Sequence, residues 1–234
     1  MDLSSAQTFQ QDPARYREPR VCKEVFERIY ALLKELGVNS VLDVGCANGD
    51  FLYFLPDHLQ GTGIDISGEF IEIAKKRNQK PNLRFLALDI LADDALKQFK
   101  EQYDAVTMIG VLSTFHDYRR LFDRILALKT KFVIIHSPLN DYPVDAAHFH
   151  RDLTRQDGDF QCAYNIFSKV TISEYLQGKG VTEHRFIPFE MKKTLVRNEQ
   201  HPTFNFHIVL DNGERYLTNG IGIIFKEYIL LIKK

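Results

Sequence analysis

Residues 41–49 read VLDVGCANG, a short apolar run that leads directly into a turn of small residues. An apolar run of this length is typical of a strand buried on both faces of a sheet. Small residues at positions 45, 47 and 49 let the backbone pass close to a ligand, with its amide N–H groups directed towards that ligand. An ordinary strand-to-helix turn is the alternative, and the neighbouring segments must decide between the two interpretations.

Predicted strands and helices alternate on both sides of this turn. The strands are predicted at 40–44, 61–66, 83–88, 103–110 and 131–136, and the helices at 20–36, 50–58, 68–77, 92–100 and 117–128. Strands that alternate with helices predict right-handed crossovers and a parallel sheet with helices on both faces. The sequence therefore indicates an α/β fold.

The pattern changes after residue 136. A polar segment, 137–168, is too long for an ordinary connection and could act as a substrate lid or be a passive surface loop. A helix is predicted from 171 to 177, with Thr171 and Glu174 spaced as a capping box. Strands predicted at 204–210 and 214–217 flank an Asp-Asn-Gly hairpin turn at 211–213, and a last strand is predicted at 221–232. We expect one domain, 1–234, with a polar N-terminal segment (1–19), an insertion (137–168) and antiparallel strands (204–234).

Acidic residues come at the ends of three successive predicted strands. Asp43 lies just before the turn, Asp65 ends the second strand and Asp89 follows the third. The carboxyl ends of parallel strands meet at one edge of the sheet, where ligands bind. Asp65 is placed to accept the hydroxyls of a ribose, and Asp89 with Ile90 to meet the amine and ring of an adenine. Each acid alone could equally cap a helix.

A dinucleotide-binding fold also uses a glycine turn followed by an acid. Its G-x-G-x-x-G pattern would need glycines at 45, 47 and 50, whereas the chain has Gly45, Ala47 and Asp50. That pattern also gives no reason for Asp43. Binding of NAD therefore fits poorly.

Together these residues resemble the class I S-adenosylmethionine-dependent methyltransferases. Residues 43–49 are similar to the family motif D/E-x-G-x-G-x-G, with Ala47 in place of the middle glycine, and residues 103–110 match the fourth strand. The resemblance implies a Rossmann-like fold with a mostly parallel seven-stranded sheet, an antiparallel C-terminal portion and S-adenosyl-L-methionine as cofactor. It implies cofactor contacts at Asp43, Gly45, Cys46, Ala47, Gly49, Asp65, Ile66, Asp89, Ile90 and Gly110.

The implied reaction is an in-line displacement at the methyl carbon of the sulfonium, which needs no metal. An acceptor that must lose a proton also needs a base. His116, directly after the fourth predicted strand, is the candidate catalytic base because histidine titrates near neutral pH. Asp117 could orient its ring or could cap the next helix. His136, at the end of the fifth predicted strand, is a second candidate.

Composition narrows the class of partner. The chain is 44% hydrophobic and 26% charged with a net charge of −1, which gives no general attraction to nucleic acid or to a membrane surface. Three widely spaced cysteines favour neither disulfides nor a zinc site. We expect a cytoplasmic enzyme that methylates oxygen or nitrogen of a small-molecule substrate, such as a sugar or another metabolite intermediate. A homodimer could form through the edge of the C-terminal hairpin.

Two other functions remain open at this stage. One is a non-catalytic, S-adenosylmethionine-binding regulatory protein, which would bind the cofactor without turnover. The other is a methyltransferase that acts on protein or RNA, which would bind its macromolecule in a salt-sensitive manner.

Overall fold

The computed structural model describes residues 23–99, 102–151, 161–199, 205–219 and 222–234. The α-helices in these ranges are α1 (Glu24–Glu35), α2 (Asp50–Phe54), α3 (Gly68–Arg77), α4 (Tyr118–Ala127) and α5 (Lys169–Gly178). The strands are β1 (Ser40–Val44), β2 (Gln60–Asp65), β3 (Leu83–Ala87), β4 (Tyr103–Ile109), β5 (Thr130–Asn140), β6 (Phe149–Arg151), β7 (Gln161–Ala163), β8 (Phe167–Ser168), β9 (Glu183–Phe189), β10 (Phe206–Val209), β11 (Arg215–Thr218) and β12 (Ile224–Lys233).

One large sheet organises the molecule. Its central strands follow the order β3-β2-β1-β4-β5, all parallel, and β12 lies antiparallel beside β5. On the other side of β12, β9 pairs antiparallel with residues 227–233, while the β10–β11 hairpin pairs with residues 224–225. The predicted Rossmann-like, mostly parallel sheet with an antiparallel C-terminal portion is confirmed. The predicted number of strands, seven, is wrong: among the described residues the sheet has ten, because β8 pairs with the end of β5, and β9 and the β10–β11 hairpin pair with β12.

Helices cover both faces of this sheet. On one face, α4 and α5 pack Leu121, Phe122, Ile125, Ile172 and Leu176 against the strands. On the other face lie α1, α2 and α3. The buried residues of α1 are Val25, Phe26, Ile29, Leu32 and Leu33, which recur at helical spacing because only one side of the helix meets the sheet.

Four helix predictions need correction. The helix predicted at 20–36 begins at Glu24, because Lys23 has an extended conformation with φ −95° and ψ 142°. The helix predicted at 50–58 ends at Phe54, because Pro56 favours an extended conformation for the residue before it, and Leu55 has φ −66° and ψ 148°. The helix predicted at 92–100 is only a 3-10 turn at Ala95–Gln98. The capping box is wrong: α5 begins two residues earlier than predicted, and the Ser168 side chain accepts hydrogen bonds from the N–H groups of Val170 and Thr171.

The segment after residue 136 is more regular than predicted. β5 continues to Asn140, β6 and β7 form a small antiparallel pair, and β8 pairs in parallel with the end of β5. β9, which alternates polar and partly buried residues, was not predicted. The N-terminal segment 1–19 lies outside the described residues. In the part of the chain that is described, no helix is long and apolar enough to cross a bilayer.

Candidate active site

A cavity of about 210 Å³ opens at the carboxyl ends of β1, β2, β3 and β4. Its walls are formed by Lys23, Val44, Gly45, Ala47, Ile64, Asp65, Ile66, Phe70, Leu88, Asp89, Ile90, Ile109, Gly110, Val111, Thr114 and Phe115. The cavity therefore lies where an open parallel sheet offers loops and helix ends to a ligand.

The turn after β1 forms one wall. Gly45, Ala47 and Gly49 have φ angles of 73°, 46° and 77°, all in the left-handed region. A Cβ atom at Gly45 would lie 2.5 Å from Cγ2 of Val111. Both the left-handed backbone conformation and the lack of room for a side chain therefore require glycine there. Ala47 occupies the same conformational region with a side chain, which costs free energy that a glycine would avoid.

Asp65 connects this turn to the end of β2. One carboxylate oxygen accepts a hydrogen bond from the Ala47 N–H at 3.0 Å, and the other accepts from the Ser67 N–H at 2.9 Å. Burial raises the pKa of Asp65, and the two backbone donors act against that rise. Asp65 therefore holds the turn in place, besides lining the cavity with oxygen atoms that retain acceptor capacity for a ligand hydroxyl.

Asp43 lies beneath the turn and does not line the cavity. Its side chain is 3% exposed and accepts a hydrogen bond from the Thr107 hydroxyl at 2.8 Å, between β1 and β4. Burial raises the pKa of Asp43 to about 7, the Thr107 hydroxyl lowers it, and the nearby Asp65 charge raises it further. Asp43 thus ties together the two strands that form the floor of the cavity.

Cys46 and Gly49 also lie outside the cavity walls. The Cys46 side chain is buried beside Gly63, where an added Cβ atom would lie 2.7 Å from Sγ. Burial raises the pKa of the Cys46 thiol well above its usual range, so this thiol is unreactive near neutral pH. A Cβ atom at Gly49 would lie 2.5 Å from the Phe85 ring. Both residues serve the packing of the turn against β2 and β3.

An apolar section of the wall begins after β2. Ile66 is 47% exposed although it is a large hydrophobic residue, and Phe70 on α3 lies in the same wall. Ile90 lines the cavity and is buried, and Asp89 accepts a hydrogen bond from the Leu91 N–H at 2.9 Å. An exposed apolar side chain beside a carboxylate suits a planar ring with a polar edge.

The loop after β4 forms the remaining wall, through residues 110–115. Asn165 supports this loop: its N–H donates to the Ser113 carbonyl at 2.7 Å, and its side-chain amide donates to the Phe115 carbonyl at 2.6 Å. The segment predicted as an insertion, 137–168, thus supports the loop that forms this wall of the cavity.

His116 is half-buried and lies next to a cavity residue, Phe115, but is not itself part of the wall. Asp117 is the N-cap of α4, accepting a hydrogen bond from the Arg119 N–H at 2.9 Å. Of the two roles that the sequence left open for Asp117, the structure shows the helix cap.

Seven of the ten predicted contact residues line the cavity: Gly45, Ala47, Asp65, Ile66, Asp89, Ile90 and Gly110. Nine further residues of the wall were not predicted: Lys23, Val44, Ile64, Phe70, Leu88, Ile109, Val111, Thr114 and Phe115. All of these except Lys23 and Phe70 had an available signal, since they end or follow a strand whose carboxyl end was already predicted to face a ligand. Within the described ranges, no group of three His, Cys, Asp or Glu residues could hold a metal ion.

Residues 42–130 match the sequence model of a methyltransferase domain. The chain is 30% identical over 117 residues to a demethylmenaquinone methyltransferase of Thermotoga maritima, covering 47% of this chain and 48% of that protein. It is 28% identical over 121 residues to a malonyl-[acyl-carrier protein] O-methyltransferase of Acetivibrio thermocellus, covering 50% of this chain and 41% of that one. The matched region thus spans about half the length of these relatives or less.

The fold extends the similarity to almost the whole chain. The magnesium protoporphyrin IX methyltransferase of Synechocystis PCC 6803, solved with bound S-adenosylhomocysteine, superposes with a TM-score of 0.59 at 16% identity, covering 95% of this chain and 93% of that one. The glycine turn, the order of the strands in the sheet and the matched domain model all indicate the same fold. Residues 42–130 thus match a methyltransferase domain, and the chain shares its fold with the class I S-adenosylmethionine-dependent methyltransferases.

Proposed function

We propose that this protein binds S-adenosylmethionine in the cavity at the carboxyl ends of β1–β4 and transfers its methyl group to a small-molecule acceptor. The observation that carries the proposal is the composition of the cavity walls. A glycine turn, two carboxylates and an exposed apolar side chain line one continuous space. The named relatives, a demethylmenaquinone and a malonyl-[acyl-carrier protein] methyltransferase, support the same reaction type.

The residues present fit the cofactor. Asp65 can accept hydrogen bonds from ribose hydroxyls, and Ile66 with Phe70 offers apolar surface to an adenine ring. Asp89 lies in the same wall and can accept a hydrogen bond from an exocyclic amine. The backbone of the Gly45–Ala47 turn lies open to the amino-acid end, and Lys23 provides a cation for its carboxylate.

The bound cofactor supplies an electrophilic methyl group on a sulfonium. The contribution of the protein is to hold that group and the acceptor in line and out of water, which can be worth about 7 to 11 kcal/mol at most. Ile109, Gly110, Val111 and Phe115 line the space that would hold these two groups. His116 remains the proton acceptor proposed from the sequence, and a movement of the loop after β4 would be needed to bring it into the cavity. We also propose that 1–234 forms one domain and that residues 137–168 contribute to substrate selection.

Calorimetric titration of the purified protein with S-adenosylmethionine, S-adenosylhomocysteine and NAD tests the cofactor. We expect the first two to bind with micromolar Kd and NAD not to bind. Asp65→Asn should weaken binding at least about ten-fold, since it replaces an acceptor of two hydroxyls by a group that accepts through one atom. Asp57→Asn is the matched control, because Asp57 is exposed and lies in the loop before β2. Binding of NAD alone would refute the proposal.

A further inference from the structure

The turn that places Asp89 and Ile90 in the cavity wall follows β3 and is closed by its own hydrogen bonds. The Ala92 N–H donates to the Asp89 carbonyl at 3.0 Å, and the Leu91 N–H donates to Oδ1 of the Asp89 side chain at 2.9 Å. Aspartate favours this pattern at the first position of a four-residue turn, because its carboxylate accepts from the N–H two residues later. Oδ2 of Asp89 has no hydrogen-bond partner among the described residues, so it can accept a hydrogen bond from a ligand.

Two arginine side chains of α4 bind this turn through one backbone atom. The carbonyl oxygen of Leu91 accepts hydrogen bonds from Nη2 of Arg120 at 3.2 Å and from Nη2 of Arg124 at 3.4 Å. The two arginines are four residues apart, so they project from the same side of the helix. Arg124 also binds the carboxylate of Asp93 at 2.5 Å, which offsets one of the two positive charges. Leu91 is thus bonded to Asp89 through its N–H and to α4 through its carbonyl.

The arginines attach an irregular turn to a rigid support. Residues 88–94 form neither helix nor strand. Apart from the arginine contacts, the hydrogen bond that ties this stretch to the rest of the described chain runs from the Leu88 N–H to the Asp65 carbonyl at 2.9 Å. α4 is fixed in the core by three side chains that are at most 1% exposed: Leu121, Phe122 and Ile125. Because charged donors make stronger hydrogen bonds than neutral ones, the position of the turn depends largely on Arg120 and Arg124.

We propose that Arg120 and Arg124 are positioning residues that hold the turn at residues 89–92, so that the cavity prefers a purine base with an exocyclic amine. This inference rests on the proposed function, in which that base is the adenine of S-adenosylmethionine. An amine donates to Oδ2 of Asp89, whereas an oxo group in its place only accepts and is repelled by the carboxylate. A carboxylate that can move away relieves this repulsion and can reach a proton on the adjacent ring nitrogen. The preference for the amine therefore requires that the turn stay in place.

The test compares the binding of S-adenosylhomocysteine and S-inosylhomocysteine by calorimetric titration. The second ligand has an oxo group in place of the exocyclic amine, with a proton on the adjacent ring nitrogen, and the same net charge. The ratio of the two Kd values therefore measures how the protein recognises this edge of the base. A variant that is only partly folded loses affinity for both ligands by the same factor, so the ratio does not depend on the folded fraction. For the original chain, we expect S-adenosylhomocysteine to bind at least about ten-fold more tightly.

The double substitution Arg120→Gln with Arg124→Gln should lower this ratio by about five-fold or more, because it removes both charged donors. Arg120→Gln alone, at an exposed position, should lower the ratio by about two-fold and serves as the test if the double variant does not fold. Arg119→Gln is the matched control. Arg119 lies on the same helix but pairs with Asp117 at 3.1 Å, so its removal should leave the ratio unchanged. Asp89→Asn, whose amide donates as well as accepts, sets the ratio of a base edge that is no longer distinguished.

Three results would overturn the inference. The first is an unchanged ratio in the double variant with both ligands weakened equally, which would mean that the two arginines serve only the stability of the fold. The second is an equal fall of the ratio in Arg119→Gln, and the third is a ratio near one for the original chain. Failure of the original chain to bind either ligand would refute the proposed function instead.

Discussion

The side-chain amide of Asn165 donates a hydrogen bond to the carbonyl oxygen of Phe115 across 50 residues of sequence, at 2.6 Å. Asn165 is completely buried, and its Oδ1 accepts a second hydrogen bond from the His148 N–H at 3.1 Å. One side chain thereby joins the segment after β7 to the loop that forms a wall of the cofactor cavity.

Asn165→Ala should therefore loosen the wall as well as the fold. Loss of a buried, fully bonded amide leaves the Phe115 carbonyl without its donor and should lower the free energy of unfolding by about 1 to 3 kcal/mol. We also expect weaker binding of S-adenosylmethionine, by about five-fold or more. Chemical denaturation and calorimetry measure the two effects. Asn39→Ala, an exposed amide at the opposite edge of the sheet, should change neither. Full cofactor affinity in Asn165→Ala would show that the wall does not need this support.

Asp43 should make stability depend on pH. Its pKa in the folded protein is raised to about 7 from its ordinary value of 3.8 because the carboxyl is buried. The folded state therefore holds a proton that the unfolded state releases between about pH 4 and pH 7, so stability falls as pH rises through this window and then levels off. Asp43→Asn removes the titrating group but keeps an acceptor for Thr107.

The measurement is a series of denaturation curves from pH 4 to pH 8 for the original chain and for Asp43→Asn. The variant should gain in relative stability by a few kcal/mol across the series. A constant difference between the two proteins at every pH would contradict a raised pKa for Asp43.

Ala47 should tolerate only a smaller side chain. Its φ of 46° is one that β-branched residues rarely adopt, so Ala47→Val should cost at least about 2 kcal/mol of stability and weaken cofactor binding. Ala47→Gly should fold at least nearly as well as the original chain, because relief of the left-handed strain offsets the added freedom of the unfolded glycine. Thermal unfolding of the two variants, each with and without S-adenosylhomocysteine, measures the contrast. Equal Tm values for the two would show that this backbone conformation is not strained.

Local sequence patterns were sufficient to predict the central sheet. β1, β2, β3 and β4 are short runs with strong apolar patterns, and their boundaries agree with prediction to within one residue. β9 was missed because Glu183, His184 and Arg185 give it a polar pattern. Its strand conformation depends on pairing with β12, a partner almost 40 residues later in the sequence.

In the cavity, too, residues set by local sequence patterns were predicted and residues set by long-range packing were not. Gly45, Asp65 and Asp89 were found because each ends or follows a strand, and parallel strands bring their ends together. Lys23 precedes α1, and Phe70 lies within α3, so their positions depend on how the helices pack across the sheet. Asp43 was assigned to the cofactor from the motif. The structure places it below the turn because alternate residues of β1 point to opposite faces.

β12 has a consequence for the order in which the fold can assemble. It pairs with β5 over eight residues, although roughly 90 residues of chain separate the two strands, and its Ile229–Ile232 are at most 1% exposed. During synthesis, most of one edge of β5 therefore stays unpaired until residues 224–233 have left the ribosome. An open edge beside the most apolar strands is prone to pair with another chain. Substitutions that weaken the β5–β12 pairing should consequently lower the yield of soluble protein, even where the cofactor cavity is left intact.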